Sequence, residues 1–234
     1  MFSLILLNYN RPANIVKIVD KMKHYNFIDE IIVSNGNEKM CVTIHDKKVK
    51  VFQDYGYIND IYSLDRRFIS GMRAKNENLI IMDDDLIIEK EDLAKLIKEY
   101  TKDTERLVGP FCRNFNQKTG YKQGDVYDEV DIVLTRLLLC QKKMCSLFFL
   151  CKPLVEPIYK TGIPYGNGED ICFSFFTSLY YRKNHYCFPI KVIELNDEHG
   201  LSKKKTHLAY RQKLCHYLID NSDSFQEFIS HLTV

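Results

Sequence analysis

Four short apolar runs dominate the first hundred residues: Phe2–Leu7, Glu30–Val33, Val49–Phe52 and Leu79–Met82. Between them apolar residues recur at helical spacing. Ile15, Ile18, Val19 and Met22 do so after Pro12, a residue well suited to a first helical turn. Ile61, Leu64, Phe68 and Met72 mark a second amphipathic helix, and Leu93, Leu96, Ile97 and Tyr100 a third. Ser34-Asn35-Gly36 reads as a turn. Strands alternating with helices predict an α/β fold with a mostly parallel, Rossmann-like sheet covered on both faces. In such sheets ligands bind beyond the carboxyl ends of the strands.

After residue 105 the regularity weakens. Leu107–Phe111, Asp131–Leu138, Ser146–Cys151 and Lys191–Leu195 are strand candidates. Asp170–Tyr181 reads as a helix, and two more helices are marked by Leu208, Cys215, Leu218, Ile219 and by Phe225, Phe228, Ile229, Leu232. With 234 residues and 45% hydrophobic composition, the chain can bury a sizeable core. We expect one domain, with 1–105 as its regular α/β half and 106–234 as a mixed half that ends in helices. The formal net charge of +2 argues against a dedicated nucleic-acid binder. No apolar stretch approaches the ~20 residues of a membrane span, and the first ten residues lack the basic flank of a secretory signal. Eight cysteines without a C-x-x-C pair suit free thiols in a reducing, cytoplasmic setting. His45, His185, His207 and His216 show no zinc-like spacing with them.

The run LIIMDDDLIIE is the most informative for chemistry. A buried strand leads straight into Asp83, Asp84 and Asp85 at the sheet edge where ligands bind. In extended chain Asp83 and Asp85 would point the same way. Two like charges ~4 Å apart repel by roughly 1 kcal/mol in water and about 4 kcal/mol at an effective dielectric of 20. A hard divalent ion, Mg²⁺ or Mn²⁺, would relieve this and bridge the carboxylates to phosphates. A solvated acidic turn capping the next helix is the plainer alternative.

Residues 164–173 read PYGNGEDICF. Gly166 and Gly168 permit a tight turn, after which Glu169 and Asp170 open a helix, where acidic side chains are favourable in any case. The functional alternative is that the turn delivers a carboxylate into the cleft. It would act there as general base for an acceptor hydroxyl, or stabilise a cationic transition state.

Taken in order, NYNRPAN after the first strand, IDEIIVSNG, LIIMDDDLI and GNGEDICFSFF resemble the GT-A glycosyltransferases. The resemblance is strongest to the exostosin-like enzymes of family 64, with family 2 more distant, and covers roughly residues 2–220. It implies that a metal ion and the diphosphate of a nucleotide sugar, a UDP-sugar, bind at the three aspartates. Asp85 would be the main metal ligand, Asp83 would contribute to the metal or face the ribose or base, and Asp84 would face the donor sugar. Asn8, Tyr9, Asn10, Arg11 and Asn35 would line the nucleotide pocket. Asn59 and Arg66 would be polar donor-site positions on the helix before the three aspartates, with Arg66 meeting donor phosphate or sugar. Asp170, with Glu169 beside it, would be the catalytic carboxylate, and His199 would complete the metal shell. The implied partners are a nucleotide-sugar donor and a glycan or other hydroxyl acceptor. Family 64 implies retention of configuration and family 2 inversion.

Three further features have two readings each. Lys203-Lys204-Lys205 is a solvated charge run or a diphosphate clamp, and Tyr9 and Tyr57 stack on a base or simply pack. A sugar-phosphate nucleotidyltransferase would place a glycine-rich loop after the first strand, where Asn8-Tyr9-Asn10-Arg11-Pro12 stands instead. A non-catalytic glycan-binding domain would not need the acidic motifs.

Overall fold

The computed structural model describes residues 1–118, 120–122, 127–162, 167–195 and 206–233. The first half follows the expected alternation. Strand β1 (Phe2–Asn8) leads to helix α1 (Pro12–Met22), then β2 (Ile28–Asn35) and β3 (Val49–Gln53). Helices α2 (Tyr57–Tyr62) and α3 (Arg66–Arg73) cross to β4 (Asn78–Met82). Strand β5 (Leu86–Ile87) and α4 (Lys90–Tyr100) complete this half. β2 lies on one side of β1 and β4 on the other, all parallel. The chain order therefore reverses beside β1, which opens a crevice beyond the carboxyl ends of β1 and β4.

The second half comprises β6 (Val108–Gly109), β7 (Cys112–Asn116), β8 (Gly120–Lys122), β9 (Asp128–Val130), β10 (Ile132–Val133) and β11 (Leu137–Gln141). Then follow α5 (Lys142–Cys151), α6 (Glu156–Tyr159), α7 (Glu169–Tyr181), β12 (His185–Cys187), β13 (Ile193–Glu194), α8 (His207–Asp220) and α9 (Ser222–Ser230). β11 pairs antiparallel with β4 and extends the sheet in the order β3-β2-β1-β4-β11-β6-β12-β9. β10-β7-β8 form a small separate sheet, and β13 pairs with β5.

Period-two alternation explains why the central strands are apolar throughout. Leu4 and Leu6, Ile80 and Met82, and Leu137 and Leu139 face one cluster with Ile15, Ile18, Leu93 and Leu96 of α1 and α4. Ile5, Ile81, Leu138 and Cys140 face the other, with Phe68, Phe148 and Phe173 of α3, α5 and α7. Both faces are covered, so neither register of the strand can be polar. Phe68 lies at the centre of the second layer, with ring centroids 4.3 Å from Phe148 and 4.4 Å from Phe173.

Several boundaries differ from the sequence reading. Residues Ser146–Cys151 are not a strand but part of α5: Met144, Cys145, Leu147, Phe148 and Cys151 are buried at helical spacing. A short apolar run does not distinguish these states by itself. The single helix expected over Ile61–Met72 is broken by Ser63, whose φ of 45° interrupts the ladder between α2 and α3. The strand expected over Asp131–Leu138 is two strands separated by a turn at Leu134–Arg136. Ser34 and Asn35 belong to β2 rather than to a turn. Among the described residues no helix is long and apolar enough to cross a membrane.

His185 is fully buried. Its Nδ1 accepts the Leu107 N–H at 3.3 Å, so Nε2 carries the proton and donates to the Ser174 carbonyl at 2.7 Å. Burial pushes this imidazole down to about 4 from its usual 6.5. The neutral form is the folded form, so its contribution is complete above pH 6.5 and is lost as pH falls toward 4. The loss is about 3 kcal/mol. Urea unfolding of wild type and His185→Gln across this range should show their stability gap narrowing by that amount toward low pH. A gap independent of pH would contradict this account of His185.

Candidate active site

The crevice is floored by two buried asparagines at strand ends. Asn8 Nδ2 donates to Asn35 Oδ1 at 2.8 Å and to the Met40 carbonyl at 2.6 Å. Asn35 Nδ2 donates to Val42 O and Gln53 Oε1. These amides brace the loop after β2. Tyr9 and Asn10 stand exposed at the mouth, with Asn10 Oδ1 accepting from Asn37. Asn59 is half-buried in α2, and its carbonyl accepts the Ser63 N–H.

β4 stops at Met82, so the extended geometry that would align Asp83 with Asp85 stops with it. The three carboxylates instead meet three different cations. Asp83 accepts from Arg67 at 3.0 Å. Asp84 accepts from Arg11 at 2.5 Å. Asp85 lies 3.9 Å from Arg136, which also holds Glu194 at 2.8 Å. Burial pushes Asp84 up to about 6, with Asp83 and Asp85 adding to the push and Arg11 opposing it. The Leu195 N–H donates to the Asp85 carbonyl at 2.7 Å. β13 is thereby anchored beside the acidic turn.

The first turn of α3 supplies two guanidinium groups, and Asp65 precedes it. Asp65 is buried against the Lys152 ammonium, which lies over the rings of Tyr62, Phe148 and Phe149. Arg66 reaches toward β2, donating to the Ser34 carbonyl and hydroxyl at 3.3 and 3.0 Å. A side chain at Gly36 would place its Cβ 2.1 Å from an Arg66 terminal nitrogen, so only glycine lets the guanidinium lie across this backbone. Arg67 turns the other way, to Asp83, to the Thr135 carbonyl at 2.9 Å and to Glu169 at 3.6 Å.

α7 brings the second acidic pair. Gly168 caps it at φ 91°, and a Cβ there would lie 2.4 Å from Leu214 of α8. Glu169 accepts from the Thr135 hydroxyl at 2.9 Å. Burial pushes it up to about 7, with Asp170 adding to the push and Arg67 opposing it. Asp170 accepts from Arg211 at 2.7 Å, and the Arg211 guanidinium lies 4.9 Å from the Tyr121 ring centroid. Burial would lower the Arg211 pKa, but the facing Asp170 and Glu169 raise it. Asp83, Asp84, Asp85, Arg11, Arg66, Glu169 and Asp170 are thus gathered at one sheet edge. His199, Gly166 and Lys203 to Lys205 lie outside the described residues.

Arg67, Thr135, Arg136 and Arg211 were not anticipated from the sequence. For Arg211 a signal existed. It occupies the position that begins the buried stripe of α8, followed by Leu214, Cys215 and Leu218. An arginine on an apolar stripe calls for a buried carboxylate partner. Among the described residues no three metal-ligating side chains converge. A metal ion at this edge would fit as one that shares its ligands with a bound phosphate, since consecutive hard oxygen donors are what the turn offers.

This edge, with its sheet order and its paired acidic clusters, defines the GT-A glycosyltransferase architecture. The family model described as glycosyl transferase family 64 domain matches residues 2–225, and the chain belongs to that family. No individual curated protein gives a significant match. Among solved structures, that of GalNAc-T7 with UDP, GalNAc and Mn²⁺ superposes with a TM-score of 0.64 at 12% identity. The match covers 98% of this chain and 50% of that one, so the chain spans about half the length of this neighbour.

Removing one partner of the Asp170–Arg211 pair leaves a buried charge uncompensated. Arg211→Met should therefore cost about 3–5 kcal/mol in urea unfolding, and adding Asp170→Asn should recover much of it. A single variant as stable as wild type would mean that Asp170 finds another partner.

Proposed function

We propose that the chain is a metal-dependent glycosyltransferase that moves a sugar from a uridine diphosphate donor to a hydroxyl of a glycan or other acceptor. The observation that carries this reading is the meeting of two acidic clusters at one sheet edge, joined by the buried Arg67 between Asp83 and Glu169. Membership of the family supports it, and the neighbour crystallised with UDP and Mn²⁺ supports the choice of nucleotide and ion.

In this reading Tyr9, Asn10, Asn59 and the braced loop over Asn8 and Asn35 form the nucleotide side of the crevice. Arg66 and Arg11 face the diphosphate. Asp85 and Asp83 hold Mn²⁺ or Mg²⁺, with His199 as a further ligand, and Asp84 faces the donor sugar. The bound ion would offset the charge that develops on the departing diphosphate. Asp170, oriented by Arg211, faces the reacting side of the sugar or the acceptor hydroxyl, with Glu169 beside it. Glu169 sits near neutrality and can hold or release a proton at its carboxyl. We favour the exostosin-like branch and retention of configuration. Eight free thiols accord with a cytoplasmic location.

Calorimetric titration with uridine diphosphate should show binding that requires Mn²⁺ and is lost in Asp85→Asn. Binding unaffected by the ion or by the substitution would remove the metal assignment, and product stereochemistry by NMR would overturn retention if the anomer inverts. Gly36→Ala should fold as wild type, because the clash falls on the far end of the Arg66 side chain. It should nevertheless weaken uridine diphosphate binding by about tenfold, by displacing a charge-assisted contact. Unchanged affinity would take Arg66 out of the donor site.

A further inference from the structure

Arg66 is 2% exposed, yet among the described residues it has no carboxylate within ion-pair distance. Its hydrogen bonds go to the Ser63 carbonyl at 3.0 Å and to the carbonyl and hydroxyl of Ser34. An acid stands one hydroxyl away. Ser34 Oγ accepts from Arg66 and donates to Asp54 Oδ2 at 2.7 Å. Asp54 is 3% exposed, and its backbone N–H is fixed on the Asn35 carbonyl at 2.9 Å.

A buried carboxylate this close to a buried guanidinium would ordinarily pair with it. Here Asp54 is taken by a different arginine. Arg73, the last residue of α3, brings one guanidinium nitrogen, Nη1, to both of its oxygens at 2.9 and 2.8 Å. The Arg73 guanidinium is also seated over the Phe52 ring at 4.5 Å. The two arginines are seven positions apart on one helix, so both face β2 and β3 and both could reach the same acid. The charge-assisted contact of that nitrogen with both oxygens and the ring beneath the guanidinium decide the competition in its favour.

We propose that Arg73 is a positioning residue of the donor site: by holding Asp54, it keeps the charge of Arg66 available to the diphosphate of a nucleoside diphosphate donor. The inference rests on the function proposed above and adds to it a residue that touches no substrate.

The test is a double-variant rescue read by calorimetry with uridine diphosphate and, with turnover, by donor KM against kcat. Arg73→Met frees Asp54 to turn onto Arg66 and should weaken donor binding by about tenfold, raising KM with little change in kcat. Asp54→Asn should bind as wild type. Arg73→Met combined with Asp54→Asn should regain wild-type affinity, because no acid is left to capture Arg66. A merely structural role for Arg73 predicts a double variant no better than the single one, and that result overturns the inference, as does unchanged affinity in Arg73→Met. If Arg73→Met does not fold, Arg73→Gln removes the charge and keeps an N–H donor beside Asp54. It should show a smaller loss in the same direction, and no loss overturns the inference. A wild type that binds no uridine diphosphate counts against the proposed function itself. In that event a crystal structure of the Arg73 variant decides: Asp54 turned onto Arg66 upholds the competition, and Asp54 still facing away overturns it.

Discussion

The buried guanidinium of Arg67 is the link on which the site depends. It belongs to a helix of the first half, yet its donors are divided between Asp83 at the end of β4, the Thr135 carbonyl in the turn before β11, and Glu169 at the start of α7. Its Nε returns to the Leu64 carbonyl of its own turn. A guanidinium has five donors in a fixed plane and no acceptor, so acceptors must converge on it from several directions. Burying it therefore helps to fix the relative placement of three chain segments, which the β4–β11 pairing and the Thr135–Glu169 hydrogen bond also join. Losing Arg67 would leave the buried Glu169 without its cation, at a cost of about 3–5 kcal/mol.

Around that link, charges are distributed over separate pairs rather than neutralised in one cluster. Asp83 has Arg67, Asp84 has Arg11, Asp85 has Arg136, Asp170 has Arg211 and Asp65 has Lys152. Pairing is incomplete in energetic terms, because burial still pushes Asp84 up to about 6 and Glu169 up to about 7. A fold that carries such desolvated carboxylates gives up stability for it. Electrostatic groups held in place before a ligand arrives need little reorganisation when it does. Arg66 shows the same economy with the opposite sign: burial lowers it to about 10, and the charge of Asp54, which stands one hydroxyl away, pulls it back only in part.

The legible parts of this chain are those governed by periodicity. β1, α1, β4 and α4 were readable because each buries a face, and burial writes a period of two or 3.6 into the sequence. The aspartates and the Glu169-Asp170 pair were readable because carboxylates directly beside apolar runs break that pattern. What was not readable is the pairing. Nothing local ties Arg67 to Glu169, 102 positions later, or Arg211 to Asp170. The α5 error has a related cause. The segment Ser146–Cys151 is so apolar that either period fits it, and the choice was made by Phe68 and Phe173 packing onto one side of it.

The residues that misled the reading and the residues that build the site are largely the same. Ser63 breaks the expected helix, and the break turns α3 so that Arg66 and Arg67 leave its first turn toward opposite ends of the crevice. The turn at Leu134–Arg136 breaks the expected strand, and it presents the Thr135 carbonyl and hydroxyl together with the Arg136 side chain. A non-glycine residue at positive φ costs of order 1–3 kcal/mol and persists only where its surroundings hold it. Here the holding groups are identifiable. Arg66 Nε donates to the Ser63 carbonyl, Arg67 Nε to the Leu64 carbonyl, and Asp65 between them is pinned by Lys152. The side chains that point into the crevice thus also stabilise the irregular turn from which they start. Substituting either arginine would loosen the turn as well as remove a charge.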